Sequence, residues 1–259
     1  FVALAFGDHP CGSSGDGTLE TVAAVTRGDM VAAHKGALAR DRLFVAAAGD
    51  ITPEDLGALL DRLLGDLPAT GTPQPPRADW LLEPGVTVKD FPTPQSPVLF
   101  GHVGIPRDDP DFFAAFILNE ALGGGRFTAR LMSEIREKRG LTYGIGSYLV
   151  SMDHADMYLG SFSASNDKVA EAIQVLRDEW YRIATDGLTE DELAATKTYL
   201  TGSYPLRFDG NGPIANILVG MQMQGLPIDY ALTRNDKINA VTMDNIRRVA
   251  RQLYLPEAL

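Results

Sequence analysis

The stretch LGGGRFTARLMSEIREKRGLTYGIGSYL, residues 122–149, decides the fold. Three consecutive glycines stop one helix, and Thr128 is placed to cap a second in which Leu131 and Ile135 face inward. Gly140 closes that second helix before a β-rich run over residues 141–150. Five charged side chains crowd the helical half between Glu134 and Arg139, while Tyr143 stands at the start of the strand half. A helix end, a glycine corner and a strand start therefore bring Arg136 and Tyr143, seven positions apart, to one edge.

Working outward, SPVLFGHVGIP reads as a buried strand and DPDFFAAFILNEALGGG as a helix apolar on nearly every face. On the other side, DMYLGSFSAS pairs with the strand over 141–150 as a hairpin. Val169, Ile173, Leu176, Trp180 and Ile183 then mark a long amphipathic helix ending at Gly187. Thr189-Glu190-Asp191-Glu192 is a capping box that starts another. Strands and long helices in blocks make this an α+β fold.

The first part of the chain reads differently. LFVAAAGD is an apolar strand ending near Gly49, followed by a helix with Thr52 at its N-cap, Pro53 at its first position and Leu56, Leu59, Leu60 and Leu63 as its buried stripe. Half of the sixteen prolines fall between Pro68 and Pro97, marking an extended connector with a short strand around Val86 to Val88. VAAVTRGDMVAAHKGALARDRL (22–43) aligns without a gap on INAVTMDNIRRVARQLYLPEAL (238–259), as two domains related by duplication would. The expected organisation is thus 1–67 as the second half of one domain, 68–97 as connector and 98–259 as a homologous second domain. The first domain lacks its opening half and the second its last strand.

Composition narrows the function. The chain has 259 residues with 45% hydrophobic and 22% charged content, and no apolar run near the roughly 20 residues a membrane span needs. A net charge of −11 repels phosphate backbones and anionic lipid surfaces, so nucleic acid is not an expected partner. Its single Cys11 excludes an internal disulfide and a multi-cysteine zinc knuckle. FVALAFGDHPCG, at the start, reads as domain interior rather than as a signal peptide.

His9, His34, His102 and His154 lie at least 25 residues apart, so no helical pair grips zinc, and no metal ligand is assigned. The LGGGR run follows a helix and precedes no Lys-Ser or Lys-Thr, so it is a helix terminator rather than a phosphate cradle. No nucleophile has a base partner. What remains is Arg136 and Tyr143. An arginine near a helix C-terminus can serve the dipole or a surface ion pair, and a strand tyrosine can simply pack. Placed at one edge, a guanidinium and a phenol can instead donate jointly to a carbonyl oxygen.

Residues 122–149 strongly resemble the C-terminal-domain signature of the pitrilysin and insulinase family of zinc metallopeptidases, which includes the processing peptidases. The spacing from Arg136 to Tyr143 matches that family's Arg and Tyr pair. GDHPCG, VTRGDMVAAH and LFVAAAGDI resemble the second half of the family's N-terminal domain, and GLPIDYALTRNDKINAVT the late part of its C-terminal domain. The resemblance implies two homologous α+β domains, with Arg136 and Tyr143 binding the substrate carbonyl and its developing oxyanion. It implies a peptide or unfolded polypeptide as substrate. No cofactor is expected in this chain; zinc, held in the family by H-x-x-E-H and a downstream Glu, is expected in a zinc-bearing homologous subunit, a homodimer mate, or a segment upstream of Phe1. A non-catalytic subunit completing a partner's active site is the preferred expectation, because LTYGIGSYL and GLPIDY look most like zinc-less subunits of bacterial two-subunit enzymes. An excerpt of a complete endopeptidase, or a structural core-subunit homologue, are the alternatives. The compartment stays open, with the bacterial periplasm preferred over the cytoplasm.

Overall fold

Residues 1–259 are all described by the computed structural model. In chain order the elements begin with α1 (Val2–Phe6), α2 (Leu19–Ala24), α3 (Arg27–Ala37) and α4 (Pro53–Leu64). Strand β1 (Gln95–Val103), α5 (Phe112–Leu122) and a π-helical segment (Met132–Glu137) come next. Then come β2 (Ile145–Ser151), β3 (Asp156–Ser165), α6 (Val169–Asp186), α7 (Glu190–Ser203), α8 (Asn211–Met223), α9 (Tyr230–Ala240) and α10 (Met243–Leu253). The fold is α+β, and its contacts group the chain into two units.

The first unit comprises Phe1–Gly12, Arg77–Gly202 and Thr233–Leu259. Its sheet has the order β1-β3-β2, antiparallel throughout, with β2 and β3 forming the hairpin expected from their sequences. Side chains alternate between the two faces of each strand. Phe100, Tyr158, Phe162 and Ile145 point into the core formed with α5, α6 and α10. Of the eleven residues of α5, eight are buried, which explains why its sequence is apolar all round. Trp180 of α6 is fully buried, meeting the rings of Phe100, His102, Tyr158 and Tyr254 edge-on at centroid distances of 4.9–6.0 Å.

A polar chain threads this core. Tyr254 Oη donates to Tyr158 Oη at 3.2 Å, the Tyr158 and Ser147 hydroxyls lie 2.9 Å apart, and Ser147 Oγ donates to Asn119 Oδ1 at 2.9 Å. Burial pushes both phenols above the usual tyrosine range, so they keep the protons this chain requires.

The opposite face of the sheet carries Met157 and Val150, covered by Ala5, Phe6 and Trp80. Trp80 belongs to the proline-rich stretch, part of which is therefore docked rather than free. Ala78 N donates to His154 O at 2.7 Å, Leu81 N to Ala5 O at 2.8 Å, and Arg77 pairs with Asp156. No strand forms around Val86 to Val88.

The second unit comprises Ser13–Pro76 and Ser203–Leu232. Thr52 caps α4 as its sequence predicts, accepting from Asp55 N at 3.1 Å, with Pro53 in the first turn. The rest of that reading is corrected. Leu63 is exposed, and Leu56, Leu59 and Leu60 are only half-buried, facing residues 45–51 and the start of α8 across an open cleft. Residues 43–48 form no strand either. An extended run becomes a strand only against a neighbouring ladder, and Val45 O accepts instead from the side chain of Gln222 at 2.9 Å.

The internal match is visible in local structure. Thr26 and Thr242, 216 positions apart, each accept from the backbone N–H three residues on, at 3.2 Å in both, closing capping boxes with Asp29 and Asn245. The α3 and α10 helices have the same length, and the same offset relates the short 3₁₀ turns Arg40–Arg42 and Pro256–Ala258. Burial differs: Ile246 is fully buried, whereas its counterpart Met30 is 58% exposed. Thr242→Ala should therefore lower the unfolding free energy by about 1 kcal/mol in urea titration, and Thr26→Ala by less, since α3 buries no residue. An equal or larger loss at Thr26 would contradict this coupling of cap to core.

Candidate functional site

The site is the corner between α5 and β2. After Leu122 the chain must pass close to the second strand: Ser147 N donates to Gly123 O at 2.8 Å, and a Cβ on Gly123 would overlap the Ser147 side chain. Glycine at that position lets the loop lie against the sheet. Thr128 does not cap the next helix, contrary to expectation. Helix begins at Arg130 and widens over Met132–Glu137, where Lys138 N reaches back five residues to Ser133 O at 3.0 Å. Such π segments re-phase the side chains of a helix and recur at functional sites. Gly140, at φ +60, then turns the chain in the left-handed region that favours glycine. Thr142 fastens the far side, its Oγ1 donating to Ser163 O at 2.7 Å and accepting from Gly144 N at 3.2 Å. Tyr143, between those anchors, projects outward and is 89% exposed.

The cations of the stretch have separate fates. Glu134 takes Lys138 Nζ at 2.5 Å and Arg139 Nη1 at 2.7 Å, and these hydrogen bonds hold its carboxyl below the usual range. Arg130 is forked onto Glu192 at 2.6 Å through Nε and Nη2, with Nη2 also donating to Gly187 O at 2.9 Å, while its Nη1 is buried without a partner. Burial pushes the Glu192 carboxyl up, but that fork and the Thr189 N–H outweigh it and leave it lowered. Arg136 has only the ion pair with adjacent Glu137, at 3.3 Å, and its Nη1 has no hydrogen-bond partner. Its guanidinium carbon lies 4.5 Å from the ring centroid of Phe127, and the side chain remains 30% exposed. Arg136 and Tyr143 thus flank the Gly140 corner, both reaching solvent, with no hydrogen bond between them.

The structure adds residues that sequence reasoning passed over. Phe127 carries no motif; an aromatic in a glycine-rich turn reads as loop. Arg126 lies over the Tyr199 ring at 4.5 Å, with Nη2 donating to Thr196 at 3.2 Å. Near it, burial pushes the Glu120 carboxyl up, against the pull of Arg126 and Arg234. A motif scan misses these contacts because α7 and the glycine loop are some 70 positions apart.

No three His, Cys, Asp or Glu side chains converge so as to hold a metal ion. His102 is buried with Nδ1 2.7 Å from Val103 O, stacked on Tyr158, and burial lowers its pKa. It is a core residue. His9 Nδ1 accepts from Cys11 N at 3.1 Å. The residues present do not fit a zinc centre.

Comparison with known proteins places this corner in a family. The profile described as "Peptidase M16 inactive domain" matches residues 24–200. The chain belongs to the peptidase M16 inactive-domain family. An "uncharacterized zinc protease" of Streptomyces coelicolor is 30% identical over 98% of this chain and 56% of its own length. The crystal structure of a peptidase M16 inactive domain from Pseudomonas fluorescens superposes with a TM-score of 0.83 at 25% identity, covering 99% of this chain and 62% of that one. A "non-peptidase homolog" of Helicobacter pylori is 25% identical over 93% of this chain and 56% of its own. The chain thus spans less than two thirds of the length of these M16 relatives. No helix is long and apolar enough to cross a membrane.

Proposed function

We propose that this M16 chain is the peptide-binding, transition-state-stabilising half of a zinc metallopeptidase, a non-catalytic subunit without H-x-x-E-H that completes a partner's active site. The observation that carries the reading is Arg136. Its neighbours spend donors on the Glu134 carboxylate, while on Arg136 only Nη1 is buried, beside Glu137, and Nε and Nη2 make no hydrogen bond on a side chain that is 30% exposed. A planar guanidinium with open donors recognises a peptide carbonyl, and the exposed Tyr143 hydroxyl supplies a second donor as that oxygen gains charge. Bond cleavage requires zinc and a base, which the partner provides; this chain binds and orients the peptide and meets the developing oxyanion.

A second reading places the zinc ligands on the same polypeptide. It is favoured by the length of the relatives, of which the Streptomyces protein extends well beyond the matched 56%. Both readings give Arg136 and Tyr143 the same task.

Binding of a fluorescein-labelled, unstructured peptide to the full-length protein with its zinc-bearing half tests the assignment by anisotropy. Arg136→Ala should raise Kd by about tenfold, which corresponds to about 1.4 kcal/mol. An unchanged Kd together with unchanged turnover would sink the proposal.

A further inference from the structure

We infer that Phe127 is a positioning residue for Arg136, an inference that rests on the peptide-binding role of that arginine: the ring holds the guanidinium in place without using any of its donors.

An arginine can be held in two ways. Arg130 illustrates the first, in which a carboxylate fork and a backbone carbonyl fix the group and occupy Nε and Nη2, the remaining Nη1 being buried. A guanidinium held so has little left to offer a ligand. Arg136 illustrates the second. Its cationic carbon sits 4.5 Å from the Phe127 centroid, within the range where a cation is drawn to the face of an aromatic ring. A ring face contacts the guanidinium plane and leaves the edge, where the N–H bonds lie, open to an incoming carbonyl.

Nothing else in the structure accounts for Phe127 so well. The ring is 64% exposed and belongs to neither apolar core cluster. A lone exposed aromatic needs no explanation in general. Here, however, it meets the one cation of the stretch 134–139 that no carboxylate binds by a hydrogen bond, since Lys138 and Arg139 both sit on Glu134. The glycines at 123–125 bring Phe127 back toward the widened helix, and the π segment carries Arg136. Two local irregularities therefore meet at this contact. Glu137, the other neighbour of Arg136, lies at 3.3 Å and is largely solvated, so it restrains the group weakly.

The test uses the assembled enzyme, full-length with its zinc-bearing half, in four forms: wild type, Phe127→Leu, Phe127→Tyr and Arg136→Ala, with Phe127→Leu also placed in the Arg136→Ala background. Phe127→Leu should lower kcat/KM by about 3- to 10-fold, Phe127→Tyr should keep it, and Tm should hold in both. In the Arg136→Ala background Phe127→Leu should change nothing further, because the group it positions is gone. Independently of activity, the Arg136 Nε–H proton should resonate upfield under the ring current and move downfield in Phe127→Leu. Wild-type kcat/KM in Phe127→Leu, the full loss repeated on top of Arg136→Ala, or an unshifted Nε–H resonance would each overturn the inference. Full activity in Arg136→Ala would instead overturn the peptide-binding role of Arg136, and the resonance would still decide the stacking.

Discussion

On the proposed oxyanion-binding role, Tyr143→Phe in the full-length protein with its zinc-bearing half should lower kcat by about 100- to 1000-fold, or about 2.7 to 4 kcal/mol, the usual cost of losing one donor aimed at a developing oxyanion. The substitution deletes one hydroxyl from a side chain that is 89% exposed and makes no hydrogen bond within the chain, so folding should not register it. The loss should fall on kcat rather than KM, because the interaction strengthens only as charge builds on the carbonyl oxygen. Arg136→Lys should also be damaging, since a point ammonium cannot reproduce the planar fork or its stack on Phe127. The measurement is steady-state kinetics on a peptide substrate beside a thermal melt of each variant. Near-normal kcat/KM in both variants would reduce the pair to scaffold; lost stability with intact turnover would mean structural residues.

Trp180→Ala should cost about 3 to 5 kcal/mol of stability, the range for emptying a buried aromatic site. Trp180 is fully buried and meets four aromatic rings, two of which, Tyr158 and Tyr254, belong to the polar chain ending at Asn119. A cavity there would loosen α6 against β1, β3 and the end of α10 together. Trp180→Phe should cost far less, because the indole Nε1 has no hydrogen-bond partner and its loss leaves no polar group newly stranded. The chain has two tryptophans, and Trp80 sits in the separate cluster on the other face of the sheet, so its fluorescence still reports urea unfolding of this unit in either variant. Equal midpoints for Trp180→Ala and wild type would show that the ring cluster contributes nothing.

Much of the first unit was readable because its signals are local. The hairpin of β2 and β3, the i, i+3, i+4 spacing of α6, and the Thr189-Glu192 box each depend on residues close in the chain, and each formed where expected. By contrast β1, read as a buried strand, exposes alternate side chains such as Leu99 and Val103 because only one of its faces meets the core. Readings that needed a distant partner failed. Residues 43–48 have strand composition and no ladder; Leu63 has the spacing of a core residue and is exposed. Periodicity states which face is apolar, not whether anything covers it. Thr128 had the right side chain for a cap, yet the helix began at Arg130 because the glycine loop had first to lie along β2.

The same division runs through the candidate site. Sequence alone determined the α+β class and the helix-corner-strand order around Gly140, and it singled out the match of 22–43 with 238–259 and the Arg136 and Tyr143 pair, since residue type and short-range spacing carry that information. Lys138 on Glu134 is a local i, i+4 pair, but only tertiary structure decided that Arg130 is spent on Glu192 of α7 and that Arg136 meets nothing but the face of Phe127 and a solvated Glu137. It also decided the widened turn that carries Arg136. Hydrogen-bond partners are assigned in space, among groups up to 62 positions apart for Arg130 and Glu192, and no pattern along the chain records which donor is left open.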